Sequence, residues 1–172
     1  FDKTFPFTNK LQTKLVHTGY VVDNIKNSNF ERRNKEIIVS AGGGAVGKKI
    51  LKTAILSRKK TIVKDYKWRI LVGINESKET IKELQDLANI NQANISIEKA
   101  HSNLHDLLVS SELSISQGGY NTMLDIVLSE IKAVVIPFNE KNDSDQPLRA
   151  SLFEKYFNIE VLDEKNLNSD NL

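Results

Sequence analysis

Residues 114–125, Ser-Ile-Ser-Gln-Gly-Gly-Tyr-Asn-Thr-Met-Leu-Asp, carry the groups whose types and spacing most directly suggest chemistry. Leu113 and Ile115 have the character of a strand end, and Gly118 and Gly119 let the backbone turn sharply. Asn121 and Thr122 then open a helix that continues through Met123, Leu124, Ile126, Val127 and Leu128. A strand, a glycine turn and a helix N-terminus make an anion site. The first helical N–H groups have no internal partner, and the aligned peptide dipoles favour negative charge there. Thr122 adds a hydroxyl, and the Asp125 carboxylate, one turn on, can accept hydrogen bonds from sugar hydroxyls. That set suits a nucleoside diphosphate, with phosphate on the N–H groups and ribose on the carboxylate. A plainer reading fits the same residues: a tight turn followed by an ordinary capped helix.

The elements that must position this segment recur along the chain. Ile37–Ala41 is an apolar run of the length of a strand buried on both faces. Gly42-Gly43-Gly44-Ala45-Val46-Gly47 turns into a helix expected over 48–64, with Ile50, Leu51, Ala54 and Ile55 inward. Trp68–Gly73 is the next strand. Ser77 caps a helix in which Ile81, Leu84, Leu87 and Ala88 recur at helical spacing. Ile95–Ile97, a short helix at Leu104, Leu107 and Leu108, the central segment, a strand over Ala133–Phe138, a helix over 147–157 and a strand at Ile159–Leu162 complete the series. This alternation predicts a parallel α/β sheet with helices on both faces. Ligands bind such sheets beyond the carboxyl ends of the strands, where both glycine loops and the 137–146 loop should converge.

Composition bounds the function. The 172 residues hold 40% hydrophobic and 27% charged residues, enough for one core-bearing domain. A net charge of +2 with scattered lysines argues against a nucleic-acid partner. The chain has no cysteine, hence no disulfide, thiolate nucleophile or cysteine zinc site, which agrees with a reducing, cytoplasmic compartment. No apolar run is long enough to span a membrane. Phe1-Asp2-Lys3 is neither a signal peptide nor an initiator methionine, so the chain reads as a fragment. Residues 1–35 are polar and irregular apart from an extended Leu15–Val22 segment. They are expected to form an interdomain connection and a first strand, followed by an α/β domain over 36–172.

The run Gln117–Asp125 resembles the donor-binding segment of GT-B glycosyltransferases that use nucleotide sugars. It is similar to the His-Cys-Gly-Trp-Asn-Ser-x-x-Glu run of plant secondary-product transferases and to the family-28 C-terminal domain of the bacterial peptidoglycan N-acetylglucosaminyltransferases. Thr18-Gly19-Tyr20 is similar to segments near the entry to that domain in bacterial relatives. The resemblance implies a Rossmann-like sheet forming the C-terminal half of a GT-B fold. It assigns diphosphate contact to Gly43, Gly44, Gly118, Gly119, Asn121 and Thr122, and ribose contact to Asp125. It assigns donor-sugar hydroxyls to the Asp145-Gln146 pair and places Ala100 and His101 beside the nucleobase. Two departures stand out: Gln117 replaces the plant histidine, and Asp125 is one methylene shorter than the usual glutamate.

The Gly42 loop nearly matches two unrelated motifs. Gly42, Gly44 and Gly47 satisfy a GxGxxG dinucleotide pattern, but Gly73 and Ile74 stand where the ribose-binding acid belongs. Gly42, Gly47 and Lys48 satisfy GxxxxGK, but Lys49 stands where Ser or Thr must hold magnesium. By resemblance, the intact protein transfers a sugar from a UDP-linked donor to an acceptor hydroxyl without a metal or other cofactor. The acceptor site and catalytic base would lie in an N-terminal partner domain outside this chain, so the fragment binds donor without turnover. Peripheral membrane association of the intact protein is compatible with this reading. Alternatives on the same residues are a nucleotide-sugar hydrolase or epimerase, a non-catalytic donor-binding subunit and, resting on GxGxxG alone, a NAD-binding domain.

Overall fold

The computed structural model describes residues 10, 13, 14, 16, 18–20, 22, 33–41, 45–90, 94–100, 103–139 and 145–172. Its strands are β1 (Asn34–Ser40), β2 (Lys67–Val72), β3 (Ile95–Lys99), β4 (Ser111–Gln117), β5 (Lys132–Ile136) and β6 (Ile159–Val161). Its helices are α1 (Ala45–Ser57), α2 (Lys78–Ile90), α3 (Leu104–Ser110), α4 (Tyr120–Leu128) and α5 (Asp145–Glu154). All five pairings are parallel, in the order β3-β2-β1-β4-β5-β6. Parallel neighbours need a crossover rather than a hairpin, so strands and helices alternate as the sequence predicts.

Side-chain alternation along each strand sorts the core into two layers. Ile37, Val39, Ile70, Val72 and Ile115 face one way, against Ile50, Leu51, Ala54 and Ile55 of α1 and Leu84 of α2. Ile38, Leu71, Ala133 and Val135 face the other, against Leu108, Met123, Ile126, Ala150 and Phe153 of α3, α4 and α5. Each fully buried Ile or Leu contributes about 1.5–3 kcal/mol by leaving water, so two-sided burial makes the central strands the stable base of the fold. Ser77 caps α2 as expected: its Oγ accepts from the Thr80 N–H at 3.1 Å.

Three expectations shift. α1 starts three residues before the expected Lys48 and ends at Ser57, passing into a 3-10 turn over Arg58–Lys60. The β-branched run Thr61-Ile62-Val63 disfavours further helix, and the indole N–H of buried Trp68 donates to Val63 O at 3.2 Å, drawing the loop back. α5 starts earlier than expected, at Asp145, and ends at Glu154. Pro147 falls inside its first turn, where the missing N–H would lack an intrahelical acceptor anyway. The strand expected within residues 1–35 is not seen at the described positions 16, 18–20 and 22; Leu15, His17 and Val21 lie outside the described residues. Gly19 there has φ 79, which breaks an extended run, and the sheet starts at Asn34.

One cation fastens the edge opposite the candidate site. The Arg33 guanidinium donates to Leu108 O (3.4 Å) and Ser111 O (3.0 Å) beyond α3, and to Ser129 O (2.9 Å) and Glu130 O (3.1 Å) beyond α4. Helix C-termini leave carbonyls unpaired and carry partial negative charge, so one planar fork satisfies both ends. Arg33→Ala is expected to destabilise by roughly 2 kcal/mol and to lower Tm by about 4–8 °C. Arg33→Lys should recover only part of this, because a single ammonium cannot span both ends; full recovery in a melting experiment would refute the two-ended role.

Candidate functional site

In this strand order the chain winds outward on both sides of the β1–β4 pair, so α1 and α4 leave these strands toward opposite faces. The gap between their loops is the topological switch point at which open α/β sheets bind ligands. The strands below it are pinned in register, with Ser40 opposite Ser116. Their hydroxyls lie 3.0 Å apart, and Ser116 is 2.6 Å from Ser114. Ser114 and Ser116 are fully buried, and this chain of hydroxyls satisfies them beneath α4.

The turn above β4 is held by backbone alone. Gly118 N–H donates to Ile136 O at 3.3 Å, and Gly119 N–H to Gln117 O at 2.9 Å. The first helical bond runs from Met123 N–H to Gly119 O at 2.9 Å, so the Tyr120, Asn121 and Thr122 N–H groups precede it at the positive end of α4. The helix starts at Tyr120, which puts Asn121 second and Thr122 third.

The two glycines have different reasons to be there. A Cβ on Gly118 would lie 3.3 Å from the Pro137 backbone and 3.4 Å from Val135, so the close packing at the end of β5 favours glycine there. Gly119 is the N-cap, at φ −62 and ψ 149, an extended conformation open to any residue. Among the described residues, a Cβ there would meet nothing nearer than the Thr122 hydroxyl at 3.8 Å. Among the described residues neither strain nor packing accounts for Gly119, and it provides no capping side chain, although Ser, Asn and Asp rank above glycine at that place. Among the described residues, no side chain at this position stands in front of the three helix N–H groups.

The other expected residues gather unevenly. Asp125 sits half-buried on α4, and burial pushes its carboxyl above the ordinary carboxylate range, opposed by the nearby His105 of α3. The Gln146 side-chain oxygen accepts from Phe138 N–H at 3.0 Å, so it closes the β5–α5 loop and leaves its amide N–H groups as donors. Asp145 lies in the first turn of α5, its carboxylate paired with Arg149 four residues on. Ala100 follows β3 at the same sheet edge, its N–H donating to Val72 O at 2.7 Å, but β1 and β2 separate it from the Gly118 turn. Gly43, Gly44 and His101 lie outside the described residues. Gly47, the last glycine of both competing motifs, is buried in the first turn of α1.

Arg149 escaped the sequence reading. Its guanidinium donates to Gly118 O at 3.4 Å and lies 5.2 Å from the centre of the Tyr120 ring. The signal available was its spacing of four from Asp145, a helical ion-pair register, in a loop already singled out. Tyr20 packs against Tyr120, with ring centroids 5.9 Å apart, and its ring centroid lies 5.8 Å from that of Phe153. These residues border a largely apolar groove of about 1050 Å³ between residues 16–22 and helices α4 and α5. Among the described residues, no group of three or more His, Asp or Glu is placed to hold a metal, and no helix is long and apolar enough to cross a membrane.

Comparison with known proteins agrees with this fold. The sequence model of the glycosyltransferase family 28 C-terminal domain matches residues 37–172. The chain is 28% identical over 143 residues to the UDP-N-acetylglucosamine–N-acetylmuramyl-(pentapeptide) pyrophosphoryl-undecaprenol N-acetylglucosamine transferase of Clostridium perfringens, covering 83% of this chain and 38% of that protein. It is 24% identical to the second such transferase of Bacillus cereus, covering 92% of this chain and 46% of that one. The chain thus spans less than half the length of these curated relatives. Among solved structures, the crystal structure of Acinetobacter baumannii MurG superposes with a TM-score of 0.65 at 15% identity, over 81% of this chain and 39% of that one. The glycosyltransferase of kitacinnamycin superposes with a TM-score of 0.57 at 15% identity, over 89% of this chain and 36% of that chain. These two likenesses establish the GT-B type of sheet.

Two outcomes test the site. Gly118→Ala should destabilise the fold by about 1–3 kcal/mol through overpacking against Pro137. Gly119→Ser, which keeps a favoured N-cap residue, should leave the melting temperature undiminished while weakening any ligand on the α4 N-terminus; equal stability losses would remove the distinction. For Asp125, the raised folded pKa means that its protonated form favours folding. That contribution is complete below the ordinary carboxylate value and is lost as pH rises through the raised one. Asp125→Asn should therefore raise stability at neutral pH and flatten the profile above the ordinary carboxylate range, as read by melting against pH.

Proposed function

This chain belongs to glycosyltransferase family 28, as its C-terminal domain, and on that premise we propose that it binds the nucleotide-sugar donor of a metal-independent glycosyltransferase. The donor is UDP-linked, in keeping with the substrate in the names of its Clostridium and Bacillus relatives. The observation that carries this reading is Gly119: a glycine that neither backbone strain nor packing requires, placed before the free N–H groups of α4 at the switch point. The diphosphate sits on the N–H groups of Tyr120, Asn121 and Thr122, the ribose hydroxyls on Asp125, and the sugar beside Gln146. Gly43 and Gly44, which lie outside the described residues, are assigned to the same diphosphate by the family resemblance.

In the reaction, an acceptor oxygen forms a bond to the anomeric carbon while the bond from that carbon to the diphosphate breaks, its electron pair leaving with the diphosphate. The chain's contribution is fixed positive potential where that charge accumulates, supplied by the α4 N-terminus without reorganisation at the moment of transfer. The acceptor, and the base that takes its proton, belong to the N-terminal domain of the intact protein. Residues 1–35 serve as the connection to that domain.

The test is a thermal-shift titration of the 172-residue chain with UDP, UDP-N-acetylglucosamine, GDP, ATP and NAD. At 100 times its dissociation constant the proper ligand adds about 2.7 kcal/mol. UDP compounds should do so, more strongly as pH rises through the Asp125 value, because ribose hydroxyls donate to the charged carboxylate. The chain alone should bind without transferring sugar, and the full-length protein should keep its activity in excess chelator. A response to ATP or NAD and none to UDP would overturn the proposal.

A further inference from the structure

Resting on the donor-site reading above, we propose that Arg149 is the side-chain counter-charge for the donor's diphosphate, held at the Gly118–Gly119 turn by Asp145 and Tyr120 until the ligand takes it over. The α4 N-terminus offers only the fraction of a charge that a helix dipole supplies, whereas a nucleoside diphosphate brings several negative charges. The lysines that the sequence places beside the turn, on α1, are engaged elsewhere. Lys48 and Lys52 pair with Glu83, and Lys49 donates to Glu164 O at 2.8 Å. Arg149 is the described cation that reaches the turn, through Gly118 O at 3.4 Å.

Its surroundings set orientation without consuming its capacity. The guanidinium rests against the Tyr120 ring, whose π-face favours a cation, and Tyr120 is the first residue of α4. The planar fork has five N–H donors, of which Gly118 O and Asp145 engage a part, so donors remain for a bidentate phosphate contact. The Arg149 side chain is 14% exposed and that of Asp145 52% exposed. A pair so open on its acidic side is weak, and a phosphate of higher charge can displace the carboxylate at little cost. On this account Asp145 acts first as a place-holder for the arginine.

The test measures binding of UDP, UMP and uridine to the 172-residue chain by calorimetry, in wild type, Arg149→Gln, Arg149→Lys and Asp145→Asn, each checked for folding by melting. Arg149→Gln should weaken UDP binding by about ten- to a hundred-fold and leave uridine unchanged. Arg149→Lys should fall between, since a point charge keeps the attraction but loses the fork. Asp145→Asn should tighten UDP several-fold by removing the competing carboxylate, and it keeps the test decisive if the arginine variants fail to fold. UDP affinity indifferent to Arg149, or uridine and UDP weakened alike, would overturn the inference while leaving donor binding in place. A wild-type chain that binds no UDP would instead remove the donor-site reading on which the inference rests.

Discussion

The β1–β4 pairing is the constraint on which the rest depends. Ile37, Ile38, Val39 and Ile115 are buried from both sides, so these strands cannot slip without exposing one layer to water. Because the chain departs from this pair in both directions, α1 and α4 lie on opposite faces, the arrangement at which open α/β sheets leave a ligand crevice. The crevice is thus a by-product of topology. The buried Ser114 and Ser116 and the partly buried Ser40 sit under it with their hydroxyls joined, fixing the floor at which the glycine turn begins.

Above that floor, the candidate site is shaped by backbone more than by side chains. Gly118 brings the turn against Pro137 of the neighbouring loop, and Gly119 clears the approach to the α4 N–H groups. Side chains then adjust this frame: Gln146 ties the β5–α5 loop to Phe138, and Arg149 bridges that loop to Gly118. The same element borders the apolar groove, where Tyr20 lies between Tyr120 and Phe153. Residues preceding the sheet therefore touch the first residue of the helix that forms the site, a mechanical link between the chain's entry and its ligand edge. At the opposite edge, Arg33 performs a similar service for the C-termini of α3 and α4, so α4 is secured at both ends by arginines from outside it.

Hydrophobic periodicity made the sheet legible. Ile37–Val39, Trp68–Val72 and Ala133–Ile136 are short apolar runs because both their faces are buried, and short apolar runs between helical patterns have few other solutions. Ser77 was readable because capping is local chemistry. Element ends were less legible. α1 stops early because the β-branched run Thr61–Val63 disfavours helix and the nearby Trp68 indole claims the Val63 carbonyl, and α5 begins early because its first turn tolerates Pro147.

The site divides along the same line. Glycine spacing, the Asn-Thr helix start and the acid at Asp125 were visible in the sequence, since each is a local requirement of an anion-binding turn or its adjoining sugar contact. Tertiary structure alone distinguished the two glycines, because the close contact at Gly118 comes from Pro137 and Val135 of a distant segment. It alone brought Arg149 to the turn and tied the Asp145 carboxylate to it, for that depends on where α5 lands against α4. Local chemistry is written along the chain, whereas the choice among partners for a charge or a small residue is made only when distant segments pack together.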